Sequence, residues 1–311
     1  MNPEEAEKKL KAEFGDKIIC NRSLADLNTF KTGGAAQFFV EVQTAKELAA
    51  VAAAAAKLDI PYFMLGGGSN VLVSDGGFEG LVIKNSIRGI ELNGSKISCG
   101  AGEELQAVID FATENGLTGL EFATGIYGTV GGAVFGNAGA YGSEIGSVLL
   151  SAELVDRQGN IRTEPAEYFK FEYRNSVLRK TREFVVGAVF ALKVGNKDSI
   201  REKVDEIRAR RNEKLPINAR TAGCFFKNIP DKREKYGKLS AGKLLDDIGA
   251  KKISYGGARV FEKHANILIN DGSANSSELR HLSQILRSRV KDKFGIELIE
   301  EITLLGEFKE D

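Results

Sequence analysis

A chain of 311 residues with 42% hydrophobic content can bury two or three domain-sized cores, which excludes extensive disorder. Lys plus Arg and Asp plus Glu number 43 each, so the zero net charge argues against nucleic-acid binding, which needs a basic surface. The charged opening MNPEEAEKKLKAEFGDK lacks the apolar heart of a signal peptide, and nowhere do roughly 18 apolar residues run together, so no membrane association is expected. Three scattered cysteines (Cys20, Cys99, Cys224) and two histidines (His264, His281) support neither a disulfide framework nor a clustered metal centre. A cytoplasmic, metal-free protein is expected.

In chain order, residues 3–14 read as an amphipathic helix, followed by Asn28-Thr29-Phe30-Lys31-Thr32-Gly33-Gly34 and an extended stretch at 37–42. Thr44 can cap an Ala-rich helix over 45–58. An apolar strand at 62–65 ends in Gly66-Gly67-Gly68-Ser69-Asn70, with further strand at 71–73 and 81–84. Residues 88–101 read as a hairpin turning at Asn93-Gly94, and a helix from 105 to 115 stops at Gly116. A second glycine cluster fills 125–146, then strands at 151–156 and 184–193 flank Tyr173-Arg174-Asn175-Ser176.

The last third changes texture. Ile200, Val204 and Ile207 mark one face of a charged helix that Leu215-Pro216 should break. A short helix over 240–248 ends at Gly249, and a strand at 265–270 leads to a helix bearing Leu279, Leu282, Leu286 and Val290, with Asn275 and Glu278 as its capping box. A strand over 296–305 closes the chain. Composition and texture place boundaries near 90 and 195, giving segments 1–90, 91–195 and 196–311.

Glycine, at 35 residues, is the compositional outlier, and it is clustered. The Gly66–Asn70 loop follows a strand, yet it runs into strand-forming Val71-Leu72-Val73 where a Rossmann loop would open a helix. Successive bare N–H groups can still bind an anion. The second cluster holds seven glycines among the eighteen residues 125–142, a heavy entropic cost that contact with a flat or polyanionic cofactor would explain.

At these residues the sequence resembles the UDP-N-acetylenolpyruvoylglucosamine reductase (MurB) family. The matching stretches are 28–33, Leu65 with the Gly66–Asn70 loop, Gly131-Gly132-Ala133, 137–142 and Tyr173-Arg174-Asn175-Ser176. They continue through 222–228, 238–246 and 256–258, in the family's order across nearly the whole chain.

The resemblance implies an α/β (α+β) fold of three domains. Two would form a non-covalent FAD-binding part of the vanillyl-alcohol-oxidase/PCMH type, and the third would be a C-terminal substrate domain. With only residues 229–238 between Asn228 and Leu239, the chain matches the family's shorter variant. It implies FAD pyrophosphate at Gly66, Gly67, Gly68, Ser69 and Asn70, and further cofactor contacts at Thr124, Gly125, Thr129, Gly131, Gly132, Asn137 and Gly139. NADPH would supply electrons, a UDP-sugar would be the substrate, and a monomer is expected.

The implied reaction adds hydride and a proton across an enol ether conjugated to a carboxylate, so a fixed cation and a proton donor are required. Arg174 matches the family arginine, whose fork suits a carboxylate. Cys224 stands where most members carry serine as proton donor; at a reference pKa of about 8.5 a thiol is the more acidic group. Glu301 matches the C-terminal glutamate, with Glu300, on the apolar parity of the strand, as its rival. Lys214, Tyr141, Tyr173, Lys227 and Asn228 are the implied substrate contacts. His264 reads as structural or exposed. Another flavin oxidoreductase of this fold, or a non-enzymatic nucleotide-sugar binding protein, also fits the glycine clusters. A histidine-linked flavin is disfavoured, since both histidines lie beyond residue 260.

Overall fold

The computed structural model describes residues 2–215, 219–234 and 237–308. Pro216, the expected helix breaker, lies outside them; the charged helix runs Lys197–Lys214 and buries Ile200, Val204 and Ile207. The chain forms two compact units: residues 1–22, 37–67 and 79–211, and residues 23–36, 68–78 and 212–311.

The first unit contains two apolar cores. One gathers Leu10, Phe38, Leu48, Val51, Leu81 and Ile83. Its Ala45–Lys57 helix begins at Thr44, whose side chain accepts from the Glu47 N–H. The associated sheet runs in the order Ile19–Ser23, Ala35–Val42, Phe78–Asn85, Tyr62–Leu65, the last two strands being parallel. The other core lies over a five-stranded antiparallel sheet in the order Ile161–Pro165, Leu149–Val155, Phe184–Ala191, Lys96–Gly100, Ile90–Asn93. Its hairpin pairs Asn93 with Lys96, so the turn is centred on Gly94-Ser95, one residue later than Asn93-Gly94. Gly94, at φ 61°, takes the first turn position, which demands the left-handed region.

The second glycine cluster contains a helix that composition argues against, Val130–Gly136. Burial of Val130, Ala133 and Val134 offsets the poor helix propensity of its glycines.

The second unit has one core, built from Phe30, Leu72, Phe225, Phe226, Leu245 and the apolar face of the Ser276–Phe294 helix. That helix begins with the expected Asn275–Glu278 capping box. The expected strand over 296–305 is shorter: Thr303–Leu305 pairs in parallel with Val71–Val73, and Glu300 makes an isolated bridge to Phe226. Burial alternates through Leu298 and Ile302, then shifts parity to Leu305, because the chain bends at Ile302.

Candidate active site

Within the first unit, Gly66 and Gly67 lie against the turn that opens the Val130–Gly136 helix. A Cβ on Gly66 would stand 2.6 Å from Thr129 Oγ1, and one on Gly67 3.1 Å from the Gly128 Cα. Thr129 caps the helix by accepting from the Gly132 N–H at 3.5 Å. The Gly131 N–H donates to the Ala101 carbonyl at 2.8 Å, and an added Cβ there would come within 3.0 Å of the Ala101 Cβ. These glycines are therefore required by the chain's own packing, a reason the cluster's composition does not reveal. Gly132 and Gly136 differ: a Cβ on the first meets only Thr129 Oγ1 at 3.7 Å, and one on the second meets nothing within 4 Å.

Two observations in this unit fit a bound FAD. Gly66 is half-buried and Gly67 exposed, and neither carries a side chain that would keep an anion away from its N–H. Thr124 is 0% exposed, and its Oγ1 has no hydrogen-bond partner among the described residues. Next to it, the Gly125 N–H donates to Gln106 Oε1 at 2.9 Å. Lys84 donates to the Gly66 carbonyl, and burial holds its ammonium below the usual lysine range.

Arg174 belongs to a four-residue turn in which Glu172 and Asn175 exchange backbone hydrogen bonds. Its φ of 54° is the left-handed value normally left to glycine or asparagine at the third position of a type II turn. The guanidinium packs 5.2 Å from the Tyr173 ring centroid and donates from Nη2 to the Gly139 carbonyl at 2.8 Å. Asn137 ties the same region together, donating from Nδ2 to the Glu172 carbonyl at 3.0 Å and accepting from the Gly146 N–H at 3.0 Å. Ser176 Oγ donates to the Phe135 carbonyl at 2.7 Å. Tyr141 is 53% exposed with φ at 53°.

In the second unit, the 224–227 segment is held from both sides. Cys224 bridges Ile267, and the Phe225 N–H donates to the Asn266 carbonyl at 2.8 Å. Opposite, the Glu301 N–H donates to the Phe225 carbonyl, and the Lys227 N–H to the Ile299 carbonyl, each at 2.8 Å. Cys224 and Glu301, distant in sequence, thus lie on neighbouring extended segments. Asn70 Nδ2 donates to the Glu301 carbonyl at 3.2 Å, and the Asn70 carbonyl accepts from the Thr303 N–H at 2.9 Å. Gly68 is at φ 65°, where a Cβ would stand 2.1 Å from the Leu27 carbonyl oxygen; Ser69 is half-buried beside it.

The carboxylate of Glu300 is ion-paired to Arg280, both side chains being largely buried, whereas Glu301 is half-buried. Asn228 accepts from the Ala241 N–H at 3.1 Å, bracing the Ala241–Asp247 helix, and Lys214 is exposed at the end of its own helix. Burial lowers the His264 pKa, and its Nδ1 accepts from the Asn266 N–H at 3.3 Å, a structural role. Sequence reasoning missed Arg280 and Asn266. The available signal for Asn266 was an amide between the apolar Ala265 and Ile267, at the start of the expected 265–270 strand, which in the structure spans only Leu268–Asn270.

Among the described residues there is no cluster of metal-ligating side chains, and no helix is long and apolar enough to cross a membrane.

Residues 36–164 match the FAD binding domain family, in agreement with the open glycines and the orphaned Thr124 hydroxyl. Fold and this match together define a flavin-dependent oxidoreductase of mixed helix-and-strand architecture. Residues 215–305 match the UDP-N-acetylenolpyruvoylglucosamine reductase C-terminal domain. The reductase of that name from Caldanaerobacter subterraneus subsp. tengcongensis is 39% identical over 94% of this chain and 94% of its own length. The Clostridium novyi reductase is 39% identical over 98% of this chain and 97% of its own. The crystal structure of UDP-N-acetylenolpyruvylglucosamine reductase (MurB) from Thermus caldophilus superposes with a TM-score of 0.78 at 31% identity, covering 93% of this chain and 98% of that one. The chain belongs to the UDP-N-acetylenolpyruvoylglucosamine reductase family, whose cofactor is FAD and whose reductant is NADPH.

Proposed function

We propose that this chain reduces the enolpyruvyl group of UDP-N-acetylenolpyruvoylglucosamine to give UDP-N-acetylmuramate for peptidoglycan synthesis, with Arg174, Cys224 and Glu301 as its catalytic residues. The carrying observation for the residue assignment is the hydrogen bond from the Glu301 N–H to the Phe225 carbonyl, which brings the segments of two of the three residues together. The Arg280–Glu300 ion pair supports Glu301 over its neighbour, since a carboxylate already neutralised by a buried arginine is a poor partner for chemistry.

FAD, held by the residues named below and reduced by NADPH, would supply the hydride that the enolpyruvyl C3 requires. The protein's task is the charge that then builds on C2 and the carboxylate. Arg174 offers a guanidinium to that carboxylate, and its fixed turn and Tyr173 stacking limit the reorganisation required. The Cys224 thiol delivers the proton to C2, and Glu301 orients and tunes that transfer. Gly66, Gly67, Thr124, Gly125, Thr129, Gly131, Gly132, Asn137 and Gly139 serve the cofactor. Gly68, Ser69 and Asn70 join them on resemblance. Tyr141, Tyr173, Lys214, Lys227 and Asn228 contact the UDP-sugar. A division at 90 and 195, a monomer and a cytoplasmic location complete the reading.

The test is anaerobic. The purified protein should be yellow, bleach with NADPH, and recover colour on adding the enolpyruvyl-UDP-sugar. A reduced protein that ignores this substrate but re-oxidises rapidly in oxygen would instead be an oxidase.

A further inference from the structure

We propose that Asn266 is a positioning residue for the reaction, acting through the backbone of Phe225 and Phe226 to fix the segment that carries Cys224. This rests on the assignment of Cys224 as proton donor.

Asn266 is 2% exposed, yet it carries an amide into an apolar core. Its side chain copies a strand partner: Oδ1 accepts from the Phe226 N–H at 2.9 Å, and Nδ2 donates to the Phe226 carbonyl at 2.8 Å. Its own carbonyl accepts from the Phe225 N–H at 2.8 Å. Three hydrogen bonds from one residue therefore converge on the two residues after Cys224. A regular strand would supply such bonds from successive backbone groups; here the bridge between Cys224 and Ile267 is isolated, and the amide continues the pairing where the ladder stops. The opposite edge of the same segment accepts from the Glu301 N–H, so a shift at Phe226 moves Cys224 and Glu301 together. An apolar residue would satisfy the core equally well but would leave both Phe226 groups unpaired. The amide is the side chain that both fills the space and sets the register.

The experiment compares full-length, flavin-loaded Asn266→Ala and Asn266→Asp; the aspartate keeps the size and the Oδ1 acceptor but replaces the Nδ2–H donor with a carboxylate oxygen and adds a buried charge. Turnover with NADPH and the enolpyruvyl-UDP-sugar is measured alongside iodoacetamide alkylation of each cysteine, followed by peptide mass spectrometry without substrate. Cys99, buried, and Cys20, half-buried, both lie in the first unit and report opening beyond the unit that carries Cys224. We expect kcat to fall about tenfold or more with KM within roughly threefold of the parent. Cys224 alkylation should change several-fold while Cys99 and Cys20 stay at the parent rate. Unchanged kcat, a parallel rise at Cys99, or loss of folding in both variants overturns the proposal and leaves Asn266 a purely structural residue. Cys224→Ala separates the two levels. Full turnover there removes the thiol's role and this inference with it, whereas a stalled Cys224→Ala beside fully active Asn266 variants defeats the inference alone.

Discussion

Arg174 donates to the Gly139 carbonyl at 2.8 Å from a backbone held at φ 54°, so a β-bearing side chain occupies a conformation that glycine adopts freely. The left-handed region costs a non-glycine residue about 1–2 kcal/mol, and such strain persists where function requires the side chain. Stability and activity should therefore separate. Arg174→Gly is expected to melt higher than Arg174→Ala, by about 1 kcal/mol in stability, while both lose about a hundredfold or more in kcat. Thermal melts beside steady-state rates check this, and an Arg174→Gly protein no more stable than Arg174→Ala would show that the turn is unstrained.

Thr124 gives a prediction of opposite signs. Its Oγ1 is buried without a partner among the described residues, which is costly unless a ligand completes it. Thr124→Val should leave the flavin-free protein as stable or about 1 kcal/mol more stable, yet weaken FAD binding about tenfold. Differential scanning of the flavin-free protein and flavin titration measure the two effects.

The approach of Gly66 to Thr129 is testable as a coupled pair. With only 2.6 Å between a Gly66 Cβ and Thr129 Oγ1, Gly66→Ala should cost about 1–3 kcal/mol. Adding Thr129→Ala removes the obstructing oxygen at the expense of the helix cap, itself about 1 kcal/mol. The double variant should be less destabilised than the two losses summed, which urea unfolding of all four proteins would reveal.

Glu121 sets a pH dependence. Burial by itself pushes its pKa up, but hydrogen bonds from Thr118 and the Gly119 N–H, with Lys203 nearby, outweigh burial and hold it below the usual 4.5. A carboxylate with a depressed folded-state pKa stabilises the fold above its unfolded value and loses that contribution as pH falls through the folded one. Stability should therefore fall on acidification below about pH 4.5, and less steeply in Glu121→Gln. Melting temperatures between about pH 3 and 6 decide it.

Cys224 separates acid chemistry from packing. Cys224→Ser keeps a donor and should retain substantial turnover. Cys224→Ala should take up electrons from NADPH and then stall before product forms. Stopped-flow monitoring of the flavin absorbance distinguishes the two half-reactions, and an alanine variant turning over at the parent rate would take the thiol out of the mechanism.

Much of this was legible locally. Thr44, Ser240 and the Asn275–Glu278 pair start helices where expected, because a cap needs only a side chain and an N–H two or three residues away. The motif containing Arg174 and the two glycine clusters could likewise be found by eye. Their reasons could not: Gly66, Gly68 and Gly131 are bare because Thr129, Leu27 and Ala101 arrive from elsewhere in the chain.

The sequence by itself determined the family, the cofactor class and the longer helices, since these rest on ordered motifs, short-range capping and helical periodicity, whereas composition argues against the glycine-rich Val130–Gly136 helix. Only the tertiary structure decided that Val71–Val73 pairs with Thr303–Leu305, that the chain bends at Ile302, that Arg280 occupies Glu300, and that Asn266 clamps the segment after Cys224. All but the local bend at Ile302 are hydrogen bonds or an ion pair made between segments apart in sequence. A strand's pattern records which face is buried but carries no label for the partner on its edge.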